Sequence, residues 1–154
     1  MAGSTVATVR AWLLYKFAEH PDLAGVALHY APPRSEELGH EFVMCGSVES
    51  AVDEIATIKS GRQRREEEYV MRWHVGVRGE GMDPAGSDAR AVQLLAALEE
   101  VVADNGTLTG IGTATDQQII ECRADGWDSA EGPTEPGGYG FEYVLRVYVR
   151  ARLL

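Results

Sequence analysis

The spacing of hydrophobic positions changes several times along the chain, and each change marks an element. Val6, Val9, Leu13 and Phe17 recur at intervals of three and four with Trp12 beside them, the period of a helix with one buried face. Ser4 is a good N-cap ahead of them, so the spacing predicts a helix from about Thr5 to Glu19. His20-Pro21-Asp22 ends it, because a residue that precedes proline is pushed out of the α region. Apolar runs over Gly25–Ala31 and Glu41–Gly46 read as strands, separated by Pro32-Pro33 and the polar stretch Arg34–His40. Val48–Ile58 also favours strand, although Ala51–Ile58 fits a helical turn as well. Lys59–Arg65 reads as a polar turn, and beyond it Tyr69, Met71, Trp73, Val75 and Val77 fall on alternate positions. That is a half-buried strand with Val70, Arg72, His74 and Arg78 on its other face, and the two runs around the turn form a hairpin.

Asp83-Pro84 and Ser87 supply helix-start chemistry for an amphipathic stripe of Ala91, Leu94, Leu95, Leu98, Val101 and Val102, which stops at Asn105-Gly106. Gln118–Ala124 reads as a strand, and Asp125–Gly138, rich in Gly, Pro and acid, as a loop. In the final run Phe141, Tyr143, Leu145, Val147, Val149, Ala151 and Leu153 alternate with Glu142, Val144, Arg146, Tyr148, Arg150 and Arg152. At roughly 3.3 Å per residue this apolar phase spans about 40 Å, so the strand is expected to bend strongly or to run past its own core. The order of elements predicts an α+β fold, a largely antiparallel β-sheet with two helices packed on one face, as a single domain over residues 1–154.

Composition fits that picture, with 45% hydrophobic and 25% charged residues in 154, enough to bury a core and far from the signature of disorder. Charge changes it. Fourteen Lys and Arg against 24 Asp and Glu leave a formal charge of −10, which argues against a general nucleic-acid binder, since such a surface must neutralise phosphates. The excess is uneven: Glu99–Tyr139 carries acidic residues against the single Arg123, whereas Phe141–Leu154 carries Arg146, Arg150 and Arg152 against Glu142. Neither a secretory leader nor an apolar run long enough to span a bilayer is seen, so no membrane partner and a cytoplasmic site of synthesis are expected.

Catalytic chemistry finds little support. Cys45 and Cys122 sit inside apolar runs with neither zinc spacing nor a disulfide framework, and His20, His29, His40 and His74 are too scattered for a metal site. Gly106–Gly112 lacks the lysine of a phosphate loop and follows a helix rather than a strand. No serine lies in a nucleophile elbow, and in so acidic a chain a pair of carboxylates arises by chance. The expectation is a protein that is not an enzyme and takes no cofactor. The surface is more informative. Arg62, Arg64 and Arg65 are followed at once by Glu66, Glu67 and Glu68, which reads either as a solvated turn or as a contact in which the basic side of one subunit meets an acidic side of the next. Trp127, amid Asp125, Asp128 and Glu131, either tucks onto its own core or anchors a partner.

Several segments together carry a resemblance: Val9-Arg10-Ala11-Trp12-Leu13-Leu14, Val26-Ala27-Leu28-His29-Tyr30-Ala31-Pro32-Pro33, the block from Arg64 to Val75, Ala89-Arg90-Ala91-Val92-Gln93-Leu94-Leu95, and Val144 to Leu153. In their order and element type they resemble the tail terminator, or tail-completion, proteins of long-tailed bacteriophages. The resemblance implies a small α+β subunit forming a six-membered ring on the head-proximal end of the tail tube. There it stops tube polymerisation and joins the neck. Its partners would be its own copies, the tail tube protein and a neck or head-completion protein, its location the virion tail after synthesis in the host bacterium. DNA would pass through the lumen without specific binding, and a Glu99–Tyr139 belt facing that lumen would repel phosphate. Candidate subunit and tail contacts are Arg62, Arg64, Arg65, Glu66 and Glu67, then Trp127 and the Arg150/Arg152 end. A last strand that outruns its core would complete a neighbour's sheet, so deleting Arg150–Leu154 is expected to weaken assembly more than folding.

Two other readings remain open on the residues alone. One is a small-molecule-binding or regulatory α+β domain, dimeric through its sheet, with Arg72 and His74 converging on a pocket. The other is a different neck or head-completion subunit, because fold does not fix function.

Overall fold

A computed structural model describes residues 3–59, 62–80, 83–108, 111, 117–130 and 138–153. Among them the chain forms helices α1 (Val6–Glu19) and α2 (Pro84–Asp104) and strands β1 (Ala27–His29), β2 (Glu41–Lys59), β3 (Arg62–Glu80), β4 (Gln117–Ala130) and β5 (Gly138–Leu153). The strands make one five-stranded sheet in the order β1-β2-β3-β5-β4. Only the short β1 runs parallel to its neighbour; β2–β3, β3–β5 and β4–β5 are antiparallel. Both helices cover one face, so the α+β architecture is as the pattern of apolar positions predicts.

The core lies between those layers. Val9, Leu13 and Phe17 of α1 and Ala91, Leu94, Leu98 and Val102 of α2 meet Tyr69, Met71, Trp73 and Val75 of β3 and Leu145, Val147, Val149 and Ala151 of β5, all fully buried. Phe17 stacks edge-on against Trp73 at 5.0 Å between ring centroids. Val6 and Trp12 flank this face and are partly buried. Alternate residues of the strands therefore point away from the helices, onto an open face that carries Arg72, His74, Glu142, Arg146, Tyr148, Arg150 and Arg152.

Helix α2 starts as its sequence dictates: Asp83 is the N-cap, its Oδ2 accepts from Gly86 N–H at 3.1 Å, and Pro84 opens the first turn. Helix α1 does not. Thr5, not Ser4, is its N-cap, with no cap bond from its own side chain. Instead Glu67, reaching across from β3, accepts from Thr5 N–H at 3.0 Å, from Thr5 Oγ1 at 3.1 Å and from Ser4 Oγ. A carboxylate far away in sequence thus does for α1 what a capping-box glutamate does from inside a helix.

Three segments differ from their expected form. Gly46 and Ser47 do not divide two strands; β2 is continuous, and a register shift between Cys45 and Val48 absorbs the irregularity. Lys59 and Arg62–Arg65 are strand rather than turn, pairing as Lys59↔Arg62, Thr57↔Arg64 and Ile55↔Arg65, because the ladder continues past the apolar part of the hairpin. The expected loop from Asp125 begins instead as strand through Ala130: a register shift between Ala124 and Trp127, with Gly126 at φ +84°, lets β4 resume its pairing with β5.

The last strand neither overhangs nor completes anything outside the fold. Leu153 pairs with Arg65 of β3 on one side and Gln117 of β4 on the other, so β5 is a central strand, matched to its end by equally long neighbours. The part that extends past the sheet is the β2–β3 hairpin, where Arg62–Arg64 pair with β2 alone.

Candidate functional site

The candidate contact residues separate into three places. Arg62, Arg64 and Arg65 lie on the hairpin arm, at or beyond the level of Leu153. Glu66 and Glu67, adjacent in sequence, point to opposite faces because side chains alternate along a strand. Glu67 is occupied by the N-terminus of α1, whereas Glu66 lies on the open face between two arginines of β5. Its Oε1 accepts from Arg152 Nη2 at 3.2 Å, and its Oε2 stands 3.5 Å from Arg150 Nε, an ion pair without hydrogen-bond alignment. The structure thus brings Glu66, Arg150 and Arg152 together and keeps Trp127 apart from them, opposite Leu145.

That Glu66 cluster belongs to a wider lattice across the open face. Arg72 pairs with Glu49 at 3.1 Å, His74 Nδ1 with Glu142 at 3.1 Å, and Arg146 with Asp128. Arg123 pairs with Glu121 and Asp125, each at 2.9 Å, and lies 4.6 Å from the centre of the Tyr148 ring. These groups are partly solvated, so each pair contributes at most about 1 kcal/mol, and their chief effect is to leave the sheet surface near electrical balance. The described acidic residues of the Glu99–Tyr139 run are divided between two elements. Glu99, Glu100 and Asp104 lie on α2, while Glu121, Asp125 and Asp128 lie on β4 beside arginines; Asp116, Glu131 and Glu135 fall outside the described residues.

Trp127 lies only partly against its own fold. It stacks edge-on against Tyr143 at 5.5 Å, yet remains 50% exposed. Tyr143 is held in turn by its hydroxyl, which donates to Asp88 Oδ1 at 2.5 Å; that bond, then burial, raises the phenol's pKa. Below the bulge Arg146 crosses Gly126, where an added Cβ would stand 2.7 Å from Nη2, and donates to the Asp125 carbonyl at 3.1 Å. The sequence reading missed Asp88, Tyr143, Arg146 and the bulge as parts of this site. The available signal was Gly126 alone inside an otherwise strand-compatible run, which marks a bulge as readily as a loop.

Among the described residues the remaining chemistry-bearing groups do not converge. Cys45 and Cys122 are free and buried; burial raises both thiols, Cys122 to about 12, so neither forms a thiolate readily. His20 bonds Glu100 and the Asp22 amide, and His29 the Leu38 carbonyl, far from His74. Among the described residues no cluster of three or more His, Cys, Asp or Glu could hold a metal, and no helix is long and apolar enough to cross a membrane.

No protein-family model matches the chain, and no curated protein matches it in sequence. Solved structures do match its fold. One is a chain from the virion of a native gene transfer agent particle, similar over 97% of this chain and 99% of that one, with a TM-score of 0.56 and 17% identity.

Proposed function

We propose that the protein is a structural virion component, a tail-terminator subunit whose copies close into a ring, six by the terminator resemblance, on the head-proximal end of a phage tail tube. The observation that carries this reading is the fold it shares, end to end, with a chain of a gene transfer agent virion. Two features of the molecule support it. Its polar surface groups are arranged as ion pairs and an exposed aromatic anchor, the materials of a protein contact, and its −10 charge lets DNA pass without being held. In this role the ring ends tube growth and presents its far side to the neck protein.

The test is native mass across a concentration series, combined with electron microscopy of purified tail tubes incubated with the protein. A ring that appears with rising concentration and caps one end of the tubes is the expected result. Binding to empty heads and not to tubes would make it a different neck subunit. A dimer at every concentration, with a ligand-dependent melting shift, would replace the reading by a regulatory domain.

A further inference from the structure

We infer that the Arg10–Tyr30 pair at one edge of the sheet docks on Trp127 at the opposite edge of a second copy, its guanidinium seated between the two rings. The inference rests on the ring reading and names the contact that closes the ring.

The two groups stand at the ends of one row across the sheet. β1 runs parallel to β2 with His29 beside Met44, so Tyr30 comes level with Cys45. Cys45 pairs with Trp73, Trp73 with Leu145 and Leu145 with Trp127. Both ends lie on the helix side: the Arg10 guanidinium of α1 lies over the Tyr30 ring, and Trp127 shares the face of Leu145. β1 and β4 are the two edges of the sheet, about 19 Å apart at the usual strand spacing, so the ends do not meet within one molecule. A sheet twists about such a row, which leaves its ends level. A ring made by rotation alone has no rise from one copy to the next, so with strands along the ring axis one end of the row meets the other end on the neighbour. The ends are unlike, and the contact is therefore heterologous, the kind that generates a ring when its rotation closes.

The chemistry of the two ends matches. Arg10 lies 5.0 Å from the centre of the Tyr30 ring, and among the described residues it has no carboxylate partner and its buried Nε no acceptor. Arg72, Arg90, Arg146 and Arg152, by contrast, are each paired with a carboxylate of their own fold. A guanidinium is planar and takes an aromatic ring on each face, indole best of all. Trp127 offers that ring: it stands edge-on to Tyr143 and is half exposed. Val92, also exposed, lies one turn along α2 from Asp88, the residue that holds Tyr143. One contact thus covers Tyr30, Val92 and Trp127 together with a cation that its own fold leaves unpaired.

Crosslinking tests the geometry and substitution the chemistry, both on the full-length protein, in solution and on tail tubes. In a background with Cys45 and Cys122 replaced by alanine, chains carrying Tyr30→Cys or Trp127→Cys are expected to stay unlinked on their own and to form disulfide dimers when mixed under oxidation. A chain carrying both should give a ladder of linked oligomers. Arg10→Ala and Trp127→Ala are each expected to raise the concentration needed for assembly about tenfold, and the double variant no further, because both remove the same contact. Each variant's monomer is checked by circular dichroism and melting temperature, so that lost folding is not read as a lost contact. Disulfides within either single variant, none in the mixture, additive losses, or folded variants that assemble like the wild type overturn this contact and leave the ring reading intact. A wild type that neither self-assembles nor caps tubes overturns both.

Discussion

Glu67 shows how much one residue can hold in place. Its carboxylate accepts from the Thr5 amide and hydroxyl and from Ser4, and Tyr69 O–H lies 3.0 Å from Thr5 Oγ1, so the start of α1 is fixed to β3 through one partly buried group. Replacing it by glutamine keeps the shape but weakens charge-assisted bonds; Glu67→Gln is expected to cost about 1–3 kcal/mol, read as a fall in the urea midpoint with unchanged slope. Glu66→Gln, one position away but on the solvated face, should cost under about 1 kcal/mol in the same measurement. Cys122 carries a second residue-level consequence. Burial holds its thiol up to about 12, so above pH 9 the unfolded chain releases this proton while the folded one keeps it. Stability from this site is therefore complete below about pH 9 and lost as pH climbs toward 12, by up to about 1.4 kcal/mol per pH unit. Cys122→Ala should flatten that alkaline decline in a series of melts between pH 8 and 11.

At the scale of elements, β3 and β5 form the spine, and small residues let them close. Gly76 lies opposite Phe42, and a Cβ there would stand 2.6 Å from the Phe141 carbonyl oxygen and 2.9 Å from the Phe42 ring. Because one of these obstacles is backbone, Gly76→Ala is expected to destabilise by about 1–3 kcal/mol in chemical denaturation. The end of β5 is equally constrained. Ala151 and Leu153 are buried and paired on both sides, so removing residues 150–154 should abolish cooperative folding of the monomer, seen by circular dichroism at concentrations too low for assembly. This reverses what the strand's length suggests by itself. Helix α2, the buried phase of β3 and the alternation of β5 were all legible, because each repeats one period over many residues. The break at Ser47 and the loop at Asp125 were misread because a bulge interrupts a period without ending the strand.

For the whole molecule, the governing feature is where its charge resides. The described charges of the open sheet face are matched pair by pair, so the net charge of −10 resides elsewhere on the molecule. Copies that each carry a formal charge of −10 repel one another and salt screens that repulsion, so the mean mass at fixed protein concentration should rise between about 0.05 and 0.5 M sodium chloride while the monomer's melting temperature changes little. Light scattering at fixed protein concentration reads this directly; a mass that falls with salt would instead point to a contact made of opposite charges.

The sequence by itself determined the fold class, the two helices, the buried side of each long strand and the absence of a recognisable catalytic motif, since periodicity and local chemistry are properties of neighbouring residues. Only the tertiary structure decided that Glu66 and Glu67 serve opposite faces, that Glu67 caps a helix more than sixty residues away, and that β5 lies in the middle of the sheet with the β2–β3 arm extending past its end. It also joined Trp127 to Tyr143 and Asp88. Those facts depend on strand order and register, which arise from long-range pairing across the sheet and leave no trace in the spacing of residues along one strand.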